Sequence, residues 1–249
     1  MRIKKAWIVA AKDLDEFKKN RYIMATLIGM PAILAISAPI SFILPILMGG
    51  LIHDPQGLVI LIMLLDFTLP FLCMIPGINP SIISSYSFVG EKVNKSMEPL
   101  LATPTTDFEL LFGKSLAAFL PTMIGTYAAF VADIIIIDLV AYPIFGYLIV
   151  PDLAWIVGML LLAPAICIVS IEANVLISSR MSDVRTAQQV GGLLILPIFL
   201  VFFGTLTNIF PLNPINMLIL SVIVLGIDFV LGTTAIKVFQ REEILTKWK

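Results

Sequence analysis

The sequence predicts an all-α membrane protein: six transmembrane helices, an N-terminal amphipathic helix lying at the interface ahead of them, and a second amphipathic helix on a cytoplasmic loop. Three observations carry this reading. Hydrophobic residues make up 59% of the 249 positions and charged residues 13%, with a mean hydropathy of +1.02, which removes a soluble fold from consideration. Apolar runs recur along the chain at about the 20 residues that a helix needs to cross a bilayer core some 30 Å thick. The third is the placement of all 16 Lys and Arg, which six spans put on a single side.

Ahead of the first span, Ile3, Trp7, Ala10, Leu14 and Phe17 step by helical intervals, while Lys4, Lys5, Lys12, Asp15, Glu16, Lys18 and Lys19 fall mostly off that stripe. Residues 1–21 therefore read as a helix in the headgroup plane. The apolar run after Arg2, Lys4 and Lys5 is too short for a signal peptide and is stopped by Lys12-Asp13, so no cleavage is expected. The membrane domain, residues 22–239, divides into spans over Tyr22 to Met48, Leu58 to Phe88, Gly113 to Val140, Leu153 to Ser178, Val190 to Thr207 and Asn216 to Phe239. The second is too long to stand upright, and Pro70, Pro76-Gly77 and Pro80 predict that it kinks or tilts. Residues 208–214 form a tight external turn, and residues 240–249 a cytoplasmic tail.

Between the second and third spans, Ser84 to Lys114 is the longest polar interruption after the N-terminus. Val93, Met97, Leu100 and Leu101 recur at steps of three and four, with Lys92, Asn94, Lys95 and Glu98 on the other side, which predicts a short amphipathic helix. Thr103-Pro104 ends it, because the residue before a proline is driven out of the α region. Thr106 or Asp107 then caps the helix that carries Leu110, Leu111 and the third span.

Arg2, Lys4, Lys5, Lys12, Lys18, Lys19 and Arg21 precede the first span, and Lys92, Lys95 and Lys114 surround the central loop. Arg180 and Arg185 follow the fourth span, and Lys237, Arg241, Lys247 and Lys249 close the chain. Both termini are thereby predicted to be cytoplasmic in a multi-pass cell-membrane protein. The opposite face keeps short loops with His53, Asp54 and Asp152.

Three blocks, in order, resemble the permease subunit of ABC-2 type transporters. They are Lys12 to Arg21; Glu91-Lys92 with Met97-Glu98-Pro99-Leu100-Leu101-Ala102-Thr103-Pro104 and Leu110 to Lys114; and Ile177 to Gln189 ending in Leu196-Pro197. The resemblance implies that the N-terminal helix is an elbow helix and that the loop over residues 89–112 carries a coupling helix. On that helix Glu91, Lys92, Met97, Glu98, Leu100 and Leu101 would engage a separate ATPase subunit. It further implies a second copy of the permease as dimer partner, with ATP and Mg held by the ATPase and no cofactor in this chain. Short re-entrant helices between the last two spans are also implied, though the segment accommodates them only in part. The loop at Gly49 to Gly57 leaves no place for the large external domain of some subfamilies.

Other chemistry is weakly supported. Gly113-Lys114-Ser115 mimics the end of a phosphate-binding P-loop, but that motif needs a glycine where Phe108 stands. The single His53, in an external loop, cannot build a multi-histidine metal site or a Ser-His pair, so an intramembrane enzyme is disfavoured and no catalytic or metal-binding residue is assigned. Net charge of −1 gives no indication of a nucleic-acid partner, and none is expected. Cys73 and Cys167 lie in apolar runs as small hydrophobes. A secondary transporter or channel is the alternative that composition allows, without evident inverted repeats. Ala25, Gly29, Ser37 and Ser41 allow close helix approach, either within the subunit or at a dimer seam.

Asp66, Asp133, Asp138, Glu172 and Asp228 fall inside apolar runs, where no Lys or Arg shares their depth. Each must be neutral, hydrated in a cavity, or paired with a group the sequence does not reveal. Glu172 and Asp228 are the candidates to line an intramembrane polar path that attracts a cation or cationic amphiphile; Asp138 is expected to be wetted at the outer surface.

Overall fold

The computed structural model describes residues 3–48, 55–94, 105–206 and 209–239, and every regular element among them is helical. The N-terminal helix α1 spans Ile3–Lys19 and α2 spans Arg21–Met48. Asn20 separates them, and its Oδ1 accepts from the backbone N–H of Tyr22 at 3.0 Å. Pro31, Pro39 and Pro45 lie inside α2 without ending it. Where α2 crosses the third span, Pro31 and the Leu27 carbonyl stand 3.3 Å from where a Cβ would sit on Gly125, so that glycine sets the close approach.

The second span bends as expected, and Pro70 locates the bend. Helix α3 (Pro55–Asp66) stops four residues before it, where the ring of a proline meets the preceding turn's carbonyl, and α4 (Thr68–Ser85) resumes after Phe67. Pro76 and Pro80 are carried within α4. The helix continues through a π-helical turn, Tyr86–Gly90, into the short α5, Glu91–Val93.

Helix α6 (Asp107–Phe145) contains the third span. Thr106 caps it: its hydroxyl accepts from Glu109 N–H while the Glu109 carboxylate accepts from Thr106 N–H, both at 3.2 Å. At the far end Gly146 takes φ 75°, the left-handed conformation that closes a helix cheaply only without a Cβ. At 39 residues α6 is about 58 Å long, so it extends well beyond a bilayer core.

The fourth span begins at α7 (Leu153–Val157), capped by Asp152, passes a π-helical turn at Gly158–Leu162, and continues as α8 (Ala163–Arg180). The last span is α11 (Pro214–Val238), capped by Asn213, whose Oδ1 accepts from Asn216 N–H at 2.8 Å. Among the described residues five helical stretches are long and apolar enough to cross a membrane: Arg21–Pro45, Gln56–Val93, Asp107–Phe145, Leu153–Arg180 and Pro214–Val238. The chain is a multi-pass helical membrane protein.

The run from Val190 to Thr207 departs from expectation. Instead of one continuous helix it is divided into α9 (Val184–Leu193), capped by Asp183, and α10 (Leu196–Leu206). Pro197 accounts for the break, since α9 ends four residues before it. Neither piece alone has the length of a span. Residues 209–213 carry no helix, so the re-entrant helices implied for this segment are not found there.

Helices α4 and α8 form the centre of the bundle, with α6 against both, α11 against α8, and α2 against α6 and α4. Leu69, Leu72, Ile75, Trp155, Leu162 and Ile166 are buried there. A chain of edge-on rings, Phe42, Phe67, Phe71, Phe199 and Phe203, ties α10 to the bend of the second span and to α2.

Candidate functional site

Helix α1 packs along the first turns of α6, and a glycine makes this possible. A Cβ on Gly113 would stand 2.6 Å from the Ala6 carbonyl oxygen and 2.8 Å from Val9 Cβ, so any larger residue would push the helices apart. The buried face of α1 is Ala6, Val9, Ala10, Asp13 and Phe17. This face differs from the apolar stripe assigned to the headgroup plane: Ile3 and Trp7 of that stripe are exposed, and the face packed on α6 includes a carboxylate.

Asp13 is buried because Lys114 is buried beside it. Lys114 Nζ lies 3.2 Å from Asp13 Oδ2 and 2.7 Å from Glu91 Oε2, and it donates to Ser87 Oγ at 3.0 Å and the Ser87 carbonyl at 3.1 Å. The Phe88 ring lies 5.5 Å away, with Phe239 edge-on to it. Ser87 Oγ donates to Asp13 Oδ2 at 2.7 Å. Glu91 Oε1 receives a second ammonium, Lys12 Nζ, at 2.8 Å, and Lys12 also approaches Glu16 at 3.4 Å. Two ammonium groups thus face the two buried carboxylates, a balance without which such burial would be prohibitive. Carboxylate oxygens of Asp13, Glu16 and Glu91 lie within 4.8 Å of one another, a spacing that can hold a cation, but here the lysines supply the counter-charge.

Burial by itself would lower the Lys12 ammonium. The Glu91 hydrogen bond and the charges of Glu91, Asp13 and Glu16 outweigh it and leave its pKa above the ordinary lysine value. Lys92 reaches across to the end of α8, donating to the Met181 carbonyl at 3.1 Å. Four parts of the chain therefore converge at one end of the bundle: α1, the π-turn with α5, the start of α6, and the end of α8.

Of the residues assigned to partner coupling, Glu91 and Lys92 are described, and both are engaged within the chain. Glu91 is 6% exposed, with its carboxylate turned into the ion cluster rather than outward. Met97, Glu98, Leu100 and Leu101 lie outside the described residues. Lys114, counted from the sequence among the charges around the central loop and weighed as a P-loop mimic, is 1% exposed. Its partner Asp13 is 101 positions away, too distant for any local pattern to reveal.

The acids within the spans find different partners. Asp66 accepts from the Trp155 indole N–H at 3.4 Å, and Asp133 from the Thr68 hydroxyl at 3.2 Å. Asp138 is 9% exposed rather than wetted at the surface; it accepts from the backbone N–H groups of Ile149 at 3.0 Å and Val150 at 3.3 Å, tying down the loop after α6. Neutral donors on neighbouring elements thus serve three of the five.

Glu172 and Asp228 come together on facing sides of the α8–α11 contact. Gly232, one turn beyond Asp228, brings the α11 backbone against Glu172: a Cβ there would lie 2.6 Å from Glu172 Oε1. Glu172 Oε2 and both Asp228 carboxylate oxygens are buried without a hydrogen-bond partner. Glu172 also lines a cavity of about 450 Å³ between the start of α6, α8 and the end of α11. The cavity was not visible in the sequence, because its walls come from three helices separated by dozens of residues. Asp228 is 8% exposed and does not line it.

Comparison with protein-family models and with curated proteins matches neither a family model nor a curated sequence. What the geometry supports is a multi-pass helical membrane protein with a buried ion cluster at one end and a partly open, acid-bearing cavity beside it.

Proposed function

We propose that the chain is the transmembrane permease subunit of an ATP-driven ABC-2 type exporter, working as a pair and coupled to separate cytoplasmic ATPase subunits. The observation that carries this reading is the Lys114 cluster. The coupling helix that the sequence predicts from Glu91 to Thr103 begins at α5, its residues 95–103 lie outside the described ones, and Lys114 joins α5 and α6, on either side of them, to α1 through Glu91 and Asp13. A push on that loop would act on the ends of the second and third spans and on the N-terminal helix as one unit. Such a unit can transmit a partner's conformational change, provided the partner contacts it differently in two states. The order of the three resembling blocks supports the same reading.

Pairing with a second copy is supported by the small-residue stripe on α2. Ala25, Ser37 and Ser41 are exposed, and a Cβ on Gly29 would meet nothing within 4 Å, so the stripe is not used for close packing among the described residues. The bilayer or a second subunit is left to cover it.

The test is a cross-link. A cysteine replacing Leu101, in a chain with Cys73 and Cys167 replaced by Ala, should cross-link to a P-loop ATPase that co-purifies with the chain from its native membrane. Addition of ATP should change the yield. A yield no greater than that from a cysteine at Asp152, expected on the far side, would remove the partner from the account. Substrate flux driven by an ion gradient without any ATPase would favour the secondary-transporter alternative.

A further inference from the structure

The cavity between α6, α8 and α11 is apolar apart from one acid and one hydroxyl, and that combination selects a class of ligand. Its volume, about 450 Å³, falls within the roughly 300–1,000 Å³ of small-molecule sites. Phe108, Phe112 and Phe119 line it from α6, and Ser115 and Glu172 are its polar side chains. Among the described residues no Lys or Arg lines it. Glu172 keeps one oxygen without a partner, and the space for its carboxylate exists because residue 232 is glycine. Asp228, also unpartnered, stands one helical turn before Gly232 on α11. Phe108 and Phe112 stack at a centroid distance of 6.2 Å and are 42% and 39% exposed, so this wall is accessible from outside the bundle.

We propose that this cavity binds a monovalent organic cation with an apolar body, an amine or onium amphiphile whose charge rests on Glu172 and against the phenyl rings. A carboxylate in an apolar surround is costly unless a cation joins it, and aromatic faces attract such cations further. A phospholipid fits poorly, because its phosphate would meet a carboxylate and, among the described lining residues, no basic group. A free lipophilic cation and a long-chain amine resident in the bilayer share the required chemistry, and the two are separated below by using one probe of each kind. The site stands independently of the exporter reading, since binding is measured on the chain alone; a failure to engage an ATPase and a failure to bind a cation are separate results.

The experiment uses the full chain in nanodiscs of phosphatidylcholine, titrated with tetraphenylphosphonium as the free cation and with dodecylamine as the bilayer-resident one. Saturable binding near one equivalent per chain is expected for at least one probe, above that of empty nanodiscs. Glu172→Gln should weaken it at least tenfold, and neutral triphenylphosphine oxide should not compete. Should Glu172→Gln not be recovered as a monodisperse protein, Phe112→Ala, at a half-exposed position, serves instead and should weaken binding about threefold. Absence of saturable binding of both probes, undiminished binding to the folded variant, or equal competition by the neutral compound would each overturn the proposal.

Discussion

Taking the Lys114 ammonium out of water costs several kcal/mol, and the cost is offset only while Asp13, Glu91 and Ser87 surround it. Lys114→Met should therefore destabilise the chain by about 3–5 kcal/mol, because it leaves two buried carboxylates facing each other. Melting of the purified protein measures this, and adding Glu91→Gln to the same variant should restore part of the loss. An unchanged melting temperature in Lys114→Met would show that the cluster contributes nothing net. Lys12 sets the pH behaviour. Its pKa in the folded chain is raised above the lysine value of about 10.4, so its contribution is fully present below that value and is lost as pH rises through the folded one. Melting scans should be insensitive to this pair near neutrality and should fall in the alkaline range, with a smaller fall in Lys12→Met. Gly113→Ala tests the adjoining contact: a methyl placed 2.6 Å from the Ala6 carbonyl must displace α1, so protease sensitivity of the N-terminal helix should rise.

At the scale of elements, two prolines show what a sequence discloses and what it withholds. The second and fifth runs break by the same steric rule, α3 ending four residues before Pro70 and α9 four residues before Pro197. Pro70 stands near the middle of a run long enough to remain a span after bending, so the bend was legible. Pro197 holds a similar place in a shorter run and follows Gly191 and Gly192, poor helix formers, so the same rule split that run into two helices each too short to span. Local chemistry was also legible in the cap at Thr106, where Glu109 three residues on completes the capping box. Long-range chemistry was not. Nothing near Asp13 marks it as the partner of Lys114, and the donors to one oxygen each of Asp66 and Asp133, Trp155 and Thr68, come from other helices. The packed face of α1 follows from the same cause, since the expected stripe was placed against lipid while Gly113 and Lys114 draw Ala6, Val9 and Asp13 inward.

For the whole molecule, the one-sided distribution of Lys and Arg predicts a topology independent of any partner. A tag after Lys249 should be protected in sealed right-side-out vesicles, and a cysteine at Asp152, in a chain without Cys73 and Cys167, should label from outside. External accessibility of the tag would contradict an even number of crossings. The central claim, that a partner ATPase drives the membrane helices through the central loop, is tested most directly by measuring ATP hydrolysis in proteoliposomes that contain the co-purifying ATPase with either the parental chain or Leu101→Asp. The parental chain should alter the hydrolysis rate and the folded, inserted Leu101→Asp variant should not. The same response from both, or none from the parental chain, would contradict it.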